Sequence, residues 1–213
     1  MNSMTLDQLQ SSLIYASELI ADNEEMLTEL DSIIGDGDHG RSMKSGFGAL
    51  AKLLRENTYE DADRLFVAAG IELLRVMGGA SGVIFGTLFL GGHEVMKGKT
   101  VITSNDLIAF FELGAKSIMK RGRSKPGDKT MLDALVPAID AMKSESGDDI
   151  AKTLRAGSEG AKAGAKSTEQ MFPRSGRSKN FRENALGVAD PGSVSVSILF
   201  QGLSQYFDGI MCN

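Results

Sequence analysis

Apolar residues recur along this chain at helical spacing almost from its first residue. Thr5 followed three positions later by Gln8 has the form of a capping box, and Leu6, Leu9, Leu13, Ala16, Ile20, Leu27 and Leu30 then fall at helical intervals. The spacing predicts one long first helix that runs into "DSIIGDGDHG", residues 31–40. A second helix restarts at Asp38 or His39 and continues through Met43, Phe47, Leu50 and Leu54, and a third covers Ala62 to Met77 through Leu65, Ala69, Leu73 and Val76. "GGASG" at 78–82 interrupts the pattern. The apolar "VIFGTLFLGGHEVM" that follows is too long for a strand and is read as a buried helix.

Ser104 or Asn105 can cap a fifth helix through Leu107, Phe110, Phe111, Ala115 and Met119, which the loop "RGRSKPGD" ends. Asp128 is the candidate cap of a sixth, carrying Met131, Leu135, Ile139 and Met142. A seventh runs from about Asp148 to Met171 with mostly alanine on its inner positions, so its neighbours can approach closely. "FPRSGRSKNFRENALGVADPGS" has no periodicity, and irregular loops of that length are usually functional or disordered. "SVSVSILF" alternates with period two as a strand does. Asp190 and Pro191 nevertheless have the form of a helix N-cap and first helical residue, and no second strand is predicted to pair with the segment. The expectation is an all-α chain: eight helices in a single domain over residues 1–213, with glycine-rich junctions lining one end of the bundle.

Composition narrows the chemistry. A chain of 213 residues with 42% hydrophobic content can bury a sizeable core. The net charge of −5 gives no field that would draw nucleic acid or an anionic membrane, and no run of about 18 apolar residues offers a membrane span. The lone Cys212 supports neither a disulfide framework nor a cysteine metal site, and the N-terminus lacks a basic stretch followed by an apolar run. A cytoplasmic protein is expected.

In "DSIIGDGDHG", Asp36 and Asp38 flank Gly37, and Asp31 lies five residues upstream. A turn through Gly35 and Gly37 would bring the three carboxylates together. Like charges at close range raise one another's pKa unless a cation intervenes, and an oxygen-only ligand set favours a hard ion such as Mg²⁺, which keeps positions for water and phosphates. The plainer reading, that Asp36 and Asp38 merely cap the next helix, suits one aspartate better than three beside a histidine. An EF-hand starting at Asp36 fails because its twelfth position is Phe47, and a DxD phosphatase motif would follow a strand in an α/β chain.

"GGASG" before a helix offers free N–H groups to an anion or, alternatively, close helix packing. "GRSKPGDKT", residues 122–130, misses a phosphate-binding P-loop by one position, because Asp128 displaces Lys129 and no strand precedes it. Arg174, Arg177, Lys179 and Arg182 crowd the late loop, as a solvated face or as a holder of phosphates or an acidic surface. His93, on an apolar helix, reads as structural. His39 adjoins the acidic cluster and reads as orienting a ligand, or less often as accepting a phosphoryl group.

In this order and separation, "LDSIIGDGDHG", "GGASG", "RGRSKPGDKTMLD" and "DPG" closely resemble the nucleotide-binding L subunit family of dihydroxyacetone kinase, nearly end to end. The family is similar to the C-terminal nucleotide domain of single-chain, ATP-dependent dihydroxyacetone kinases. The resemblance implies an eight-helix antiparallel barrel holding ADP and two Mg²⁺ ions. ADP is then a resident cofactor, recharged by a phosphohistidine on a phosphotransferase-system M subunit and delivering its γ-phosphoryl to dihydroxyacetone on a separate K subunit. Carried over by motif, Asp31, Asp36 and Asp38 would ligate Mg²⁺. His39, Gly40, Arg41, Ser42, Ala80, Ser81, Gly122, Met131, Arg177, Asp190, Pro191 and Gly192 would line the nucleotide, with no side chain as covalent nucleophile. Many members carry an asparagine where this chain has Ser42, preceded here by Arg41, a departure that bears on nucleotide contacts and leaves the metal triad intact. An ATP-dependent kinase for dihydroxyacetone or another short ketose, and a non-catalytic nucleotide-sensing module, are the alternative readings; a homodimer is compatible with each.

Overall fold

The computed structural model describes residues 2–145, 149–175, 179 and 185–211, with residues 210 and 211 described by their backbone alone. A three-residue strand β1 (Ser3–Thr5) leads into α1 (Leu6–Asp22), whose predicted capping box is complete: Gln8 N donates to Thr5 Oγ1 at 3.2 Å and Thr5 N donates to Gln8 Oε1 at 2.9 Å. The predicted long first helix breaks at Asn23. Its N–H reaches back to Ile20 O at 3.2 Å and its Nδ2 to Leu19 O at 2.7 Å, a local bonding pattern that competes with the helical ladder, and α2 (Glu24–Ile34) starts afresh. Then follow α3 (His39–Glu56), α4 (Ala62–Val76), α5 (Gly79–Gly92), β2 (Val101–Thr103), α6 (Ser104–Gly122), α7 (Leu132–Ser144), α8 (Ile150–Ser167) and α9 (Pro191–Met211). The described residues thus form nine α-helices where eight were expected, and the all-α class holds.

Eight of the nine close a ring. In the order α1, α3, α4, α5, α6, α7, α8, α9 each packs on the next, and α9 returns to α1. The first residues of α3, α5 and α9, and the residues just before α7, line one pocket, so every second stave begins at the same end, as an antiparallel barrel requires. The ninth helix, α2, lies across that end. A Cβ on Gly40 at the start of α3 would stand 2.1 Å from Glu24 O, and His39 N donates to Asp31 Oδ2 at 3.2 Å, so both ends of α2 meet the start of α3.

The interior is apolar and aromatic. Phe66 of α4 stacks on Phe110 of α6 with centroids 3.9 Å apart, Phe89 of α5 joins them, and Phe111 meets Phe200 of α9 at 4.7 Å. At the end away from the pocket, β1 pairs antiparallel with β2, Met4 opposite Ile102, while Leu6 N donates to Thr100 O and Ala62 N to Lys99 O. These strands are too short to show a period in the sequence. Among the described residues no helix is long and apolar enough to cross a membrane.

Small residues on α8 do what the sequence suggests. A Cβ on Gly160 would lie 2.5 Å from Pro137 O, and one on Gly164 would lie 2.2 Å from Asp133 O and 2.9 Å from Ala134 Cα, all backbone of α7. Gly164→Ala is therefore expected to destabilise the protein by about 1–3 kcal/mol in spite of alanine's better helix propensity, because backbone cannot yield as a side chain can. The midpoint of urea unfolding at constant slope measures it.

Candidate functional site

The loop between α2 and α3 concentrates negative charge by backbone means. Asp31 sits in the last turn of α2, and Asp36 and Asp38 on the connection, and each offers a carboxylate oxygen within 4.8 Å of the others. Two glycines make this possible. A Cβ at Gly35 would stand 2.2 Å from Asp31 Oδ1, where the carboxylate now lies, and Gly37 holds φ +71°, a left-handed conformation that side chains resist. Asp38 occupies the N-cap position of α3 without a capping bond from its side chain; Asp31 accepts from His39 N instead. Capping alone thus does not account for the cluster.

Facing it are helix N-termini. Gly79, Ala80 and Ser81 open α5 with no side-chain cap, Pro191 and Gly192 open α9, Thr130 and Met131 precede α7, and His39 opens α3. All line one cavity of about 210 Å³ together with Asp31, Asp36 and Asp38. First-turn N–H groups have no helical acceptors and carry a partial positive charge, so the cavity pairs three carboxylates with a positive wall suited to an anion. A dianionic ligand bridged by cations matches that polarity. A lone cation or a lone anion matches only half of it.

His39 ties three of the walls together. Its Nε2 lies 2.8 Å from Ser195 Oγ and its Nδ1 3.3 Å from Ser81 Oγ. Ser195 Oγ donates to Pro191 O at 3.0 Å, so its oxygen accepts from Nε2–H; the network thereby assigns the tautomer, with Nδ1 as acceptor. Burial pushes the His39 pKa down, against the opposing pull of Asp31 and Asp38. Both ring nitrogens are engaged within the protein.

A second network fixes the wall formed by the turn before α7. Asp133, buried in α7, accepts from Gly127 N at 2.5 Å and Thr130 N at 2.7 Å. Asp133 therefore shapes the "GDKT" turn, and α7, the helix expected to begin at Asp128, starts at Leu132. Asp128, the expected cap, instead accepts from Lys125 N at 3.0 Å. Ser193 Oγ donates to Thr130 O at 2.6 Å, joining α9 to the same turn, and Asp190 caps α9 as expected by accepting from Ser193 N at 2.7 Å. The strand-like serine spacing of "SVSVSILF" is explained here: Ser193 and Ser195 are buried because each bridges to another wall of the cavity.

Of the residues singled out in the sequence, Asp31, Asp36, Asp38, His39, Ala80, Ser81, Gly122, Met131, Asp190, Pro191 and Gly192 line the cavity. Gly40 packs against α2, Arg41 is exposed with Nη2 3.4 Å from Gly37 O, and Ser42 continues α3 with its N–H on Asp38 O. Arg177 and Arg182 lie outside the described residues, and Arg174 is exposed. His93 Nδ1–H donates to Asp63 Oδ1 at 2.6 Å, away from the cavity, in keeping with a structural role. Ser175, Lys129 and Thr130, which line the cavity, and Ser195, which bonds His39, were not among the site residues expected from the sequence. Only the position of Lys129 and Thr130 inside "GDKT" gave a signal.

The model of the DAK2 domain matches residues 33–205, from the end of α2 through most of α9. The chain belongs to the DAK2 domain family. This DAK2 chain is 34% identical over 204 residues to the PEP-dependent dihydroxyacetone kinase, ADP-binding subunit DhaL, of Escherichia coli (strain K12), covering 95% of this chain and 97% of that protein. It is 36% identical over 180 residues to the ADP-binding subunit DhaL of PEP-dependent dihydroxyacetone kinase 2 of Listeria innocua, covering 83% of each. The crystal structure of the C. freundii dihydroxyacetone kinase in complex with AMP-PNP and Mg²⁺ superposes with a TM-score of 0.76 at 27% identity. The DAK2 chain is covered to 95% in that comparison and spans 34% of the C. freundii chain. The family resemblance read from the motifs is borne out.

Burial pushes the Asp190 carboxyl up to about 7, against the pull of the Ser193 N–H and of Lys129. A folded-state value above the unfolded value of about 3.9 means that Asp190 takes up a proton on folding. Its contribution to stability is complete below about pH 4 and is lost as the pH rises through about 7. Asp190→Asn should flatten this dependence: from about pH 5 to about pH 8 the urea midpoint of the wild type is expected to fall more than that of the variant.

Proposed function

We propose that this chain is the ADP-binding subunit of a phosphotransferase-system-dependent dihydroxyacetone kinase, acting in the cytoplasm, with residues 1–213 as one nucleotide-binding domain. The observation that carries the reading is the convergence of Asp31, Asp36 and Asp38 within 4.8 Å across one cavity from the first turns of α5 and α9. The donor set suits Mg²⁺. It is all oxygen, it is brought together by a loop whose glycines leave room for it, and it faces a wall that attracts phosphate.

In this reading the three aspartates hold two Mg²⁺ ions, while the N–H groups of Ala80, Ser81 and Gly192 face the phosphates. His39, held between Ser81 and Ser195, orients the wall they share; with both nitrogens engaged, it serves as a positioning group and not as a phosphoryl acceptor. The bound nucleotide supplies a carrier that takes a phosphoryl group from a phosphohistidine on an M subunit and gives it to dihydroxyacetone on a separate K subunit. Phosphoryl transfer asks a protein mainly for positioning and charge neutralisation, so no side chain need form a covalent bond. The naming of two near-full-length relatives as ADP-binding subunits supports the assignment.

Native mass spectrometry of the purified protein is expected to show one ADP and two Mg²⁺; a bare polypeptide mass would count against the reading. Asp36→Ala and Asp38→Ala should each lower phosphoryl transfer from the phosphorylated M subunit by roughly a hundredfold or more, because metal neutralisation of phosphate charge is worth several kcal/mol. Their helical circular dichroism should stay intact. Free turnover of ATP with a ketose-binding partner and no M subunit would place the chain among ATP-dependent kinases instead.

A further inference from the structure

Lys129 stands one position away from the place of a P-loop lysine, yet its side chain turns inward. It is 1% exposed, and its ammonium donates to Thr168 O at 2.8 Å, Ala185 O at 2.5 Å and Val188 O at 2.6 Å. Three N–H donors meet three carbonyls, so none remains for a phosphate. Its backbone holds φ +60°, a left-handed conformation that costs a lysine about 1 kcal/mol and persists only where the surroundings over-determine it. A buried, fully satisfied lysine in a disfavoured backbone conformation, at the rim of the cavity, calls for a role.

The three carbonyls identify it. Thr168 follows α8 directly, whereas Ala185 and Val188 precede α9, so the ammonium grips both ends of the excursion that joins the two helices. The ends also bond to each other, Gly187 N to Glu169 O and Asp190 N to Thr168 Oγ1, each at 2.8 Å. Arg174 N donates to Asp128 O at 3.0 Å, which brings the outgoing chain to the residue before Lys129. From there Thr130 O, Ser193 and Asp190 complete a closed circuit back to Thr168. The circuit sets one dimension of the cavity, because a Cβ on Gly192 would stand only 3.4 Å from Met131 Cβ.

We propose that Lys129 is a positioning residue of the cavity: its ammonium clamps both ends of the 168–190 excursion to the Gly127–Thr130 turn and so holds Pro191 and Gly192 in place beside Met131. The consequence for nucleotide rests on the function proposed above; the clamp itself does not. Without the cation, three buried carbonyls lose their donor, and the first turn of α9 shifts to find others. The aromatic core, built by Phe66, Phe89 and Phe110 on α4, α5 and α6, is remote from this change.

Lys129→Met removes the cation and keeps most of the stem. At a temperature where its circular dichroism matches wild type, its affinity for MgADP by calorimetry is expected to fall roughly tenfold or more, and Lys129→Arg, which keeps a cation, to recover most of the loss. Hydrogen exchange without nucleotide should accelerate at Gly187, Asp190 and Ser193 and stay unchanged at Leu6 and Ala62 of the far end. A lower melting temperature with unchanged MgADP affinity and no local change in exchange would reduce Lys129 to a structural residue and overturn the proposal. If the wild type binds no MgADP, the nucleotide reading fails by itself, and the exchange pattern decides the clamp: local acceleration supports it, uniform or absent acceleration overturns it. Should Lys129→Met not fold, Lys129→Gln removes the cation and one of its three donors while keeping two N–H groups for the carbonyls. The same local pattern is then expected, and its absence overturns the clamp.

Discussion

Three carboxylates gathered within a few ångströms on the rim of a helical barrel repel one another, and the end of the molecule that carries them is organised around that fact. An antiparallel barrel offers a remedy that needs no basic side chain. Every second stave begins at the same end, so the first turns of α3, α5 and α9, with the turn before α7, line the same cavity as the aspartates and turn the positive ends of their helix dipoles toward it. The net charge of −5 is no obstacle, since the positive wall comes from the backbone. Such a wall is also pre-oriented, because peptide dipoles fixed in helices need no rearrangement when an anion arrives.

The opposite end does the holding. There the short pairing of β1 with β2, the capping box of Thr5 and that of Thr103 stop the helices that begin away from the cavity, and the phenylalanines of α4, α5, α6 and α9 fill the interior. The cavity end can therefore be polar inside. His39, Asp133, Lys129, Asp190, Ser193 and Ser195 are all buried there, and each has a defined hydrogen-bond partner. A network of that kind is costly if incomplete and specific if complete, which suits it to fixing walls whose separation matters.

The helical class, the approximate extent of most helices and the acidic loop were legible because each rests on local chemistry. Apolar spacing reports a buried face, Asp190 before Pro191 reports a helix start, and aspartates around glycines report a turn rich in carboxylates. The break at Asn23, the two short strands and the true start of α7 were not legible. Ile20 and Leu27 keep a seven-residue apolar spacing across Asn23, the strands are three residues long, and Leu132 rather than Asp128 leads the helix because Asp133 folds back on Gly127 and Thr130.

The sequence by itself determined what kinds of groups this protein brings to its cavity: three carboxylates, glycine-rich helix starts, a histidine beside them and a proline-led final helix. Only the tertiary structure decided how they face one another. Whether Lys129 reaches outward or inward, and whether the serines of "SVSVSILF" lie in a strand or bridge two walls, depends on carbonyls and side chains 39 to 156 positions away in the chain. Local propensity carries no record of such partners, because a hydrogen bond across a barrel exists only once the barrel has closed.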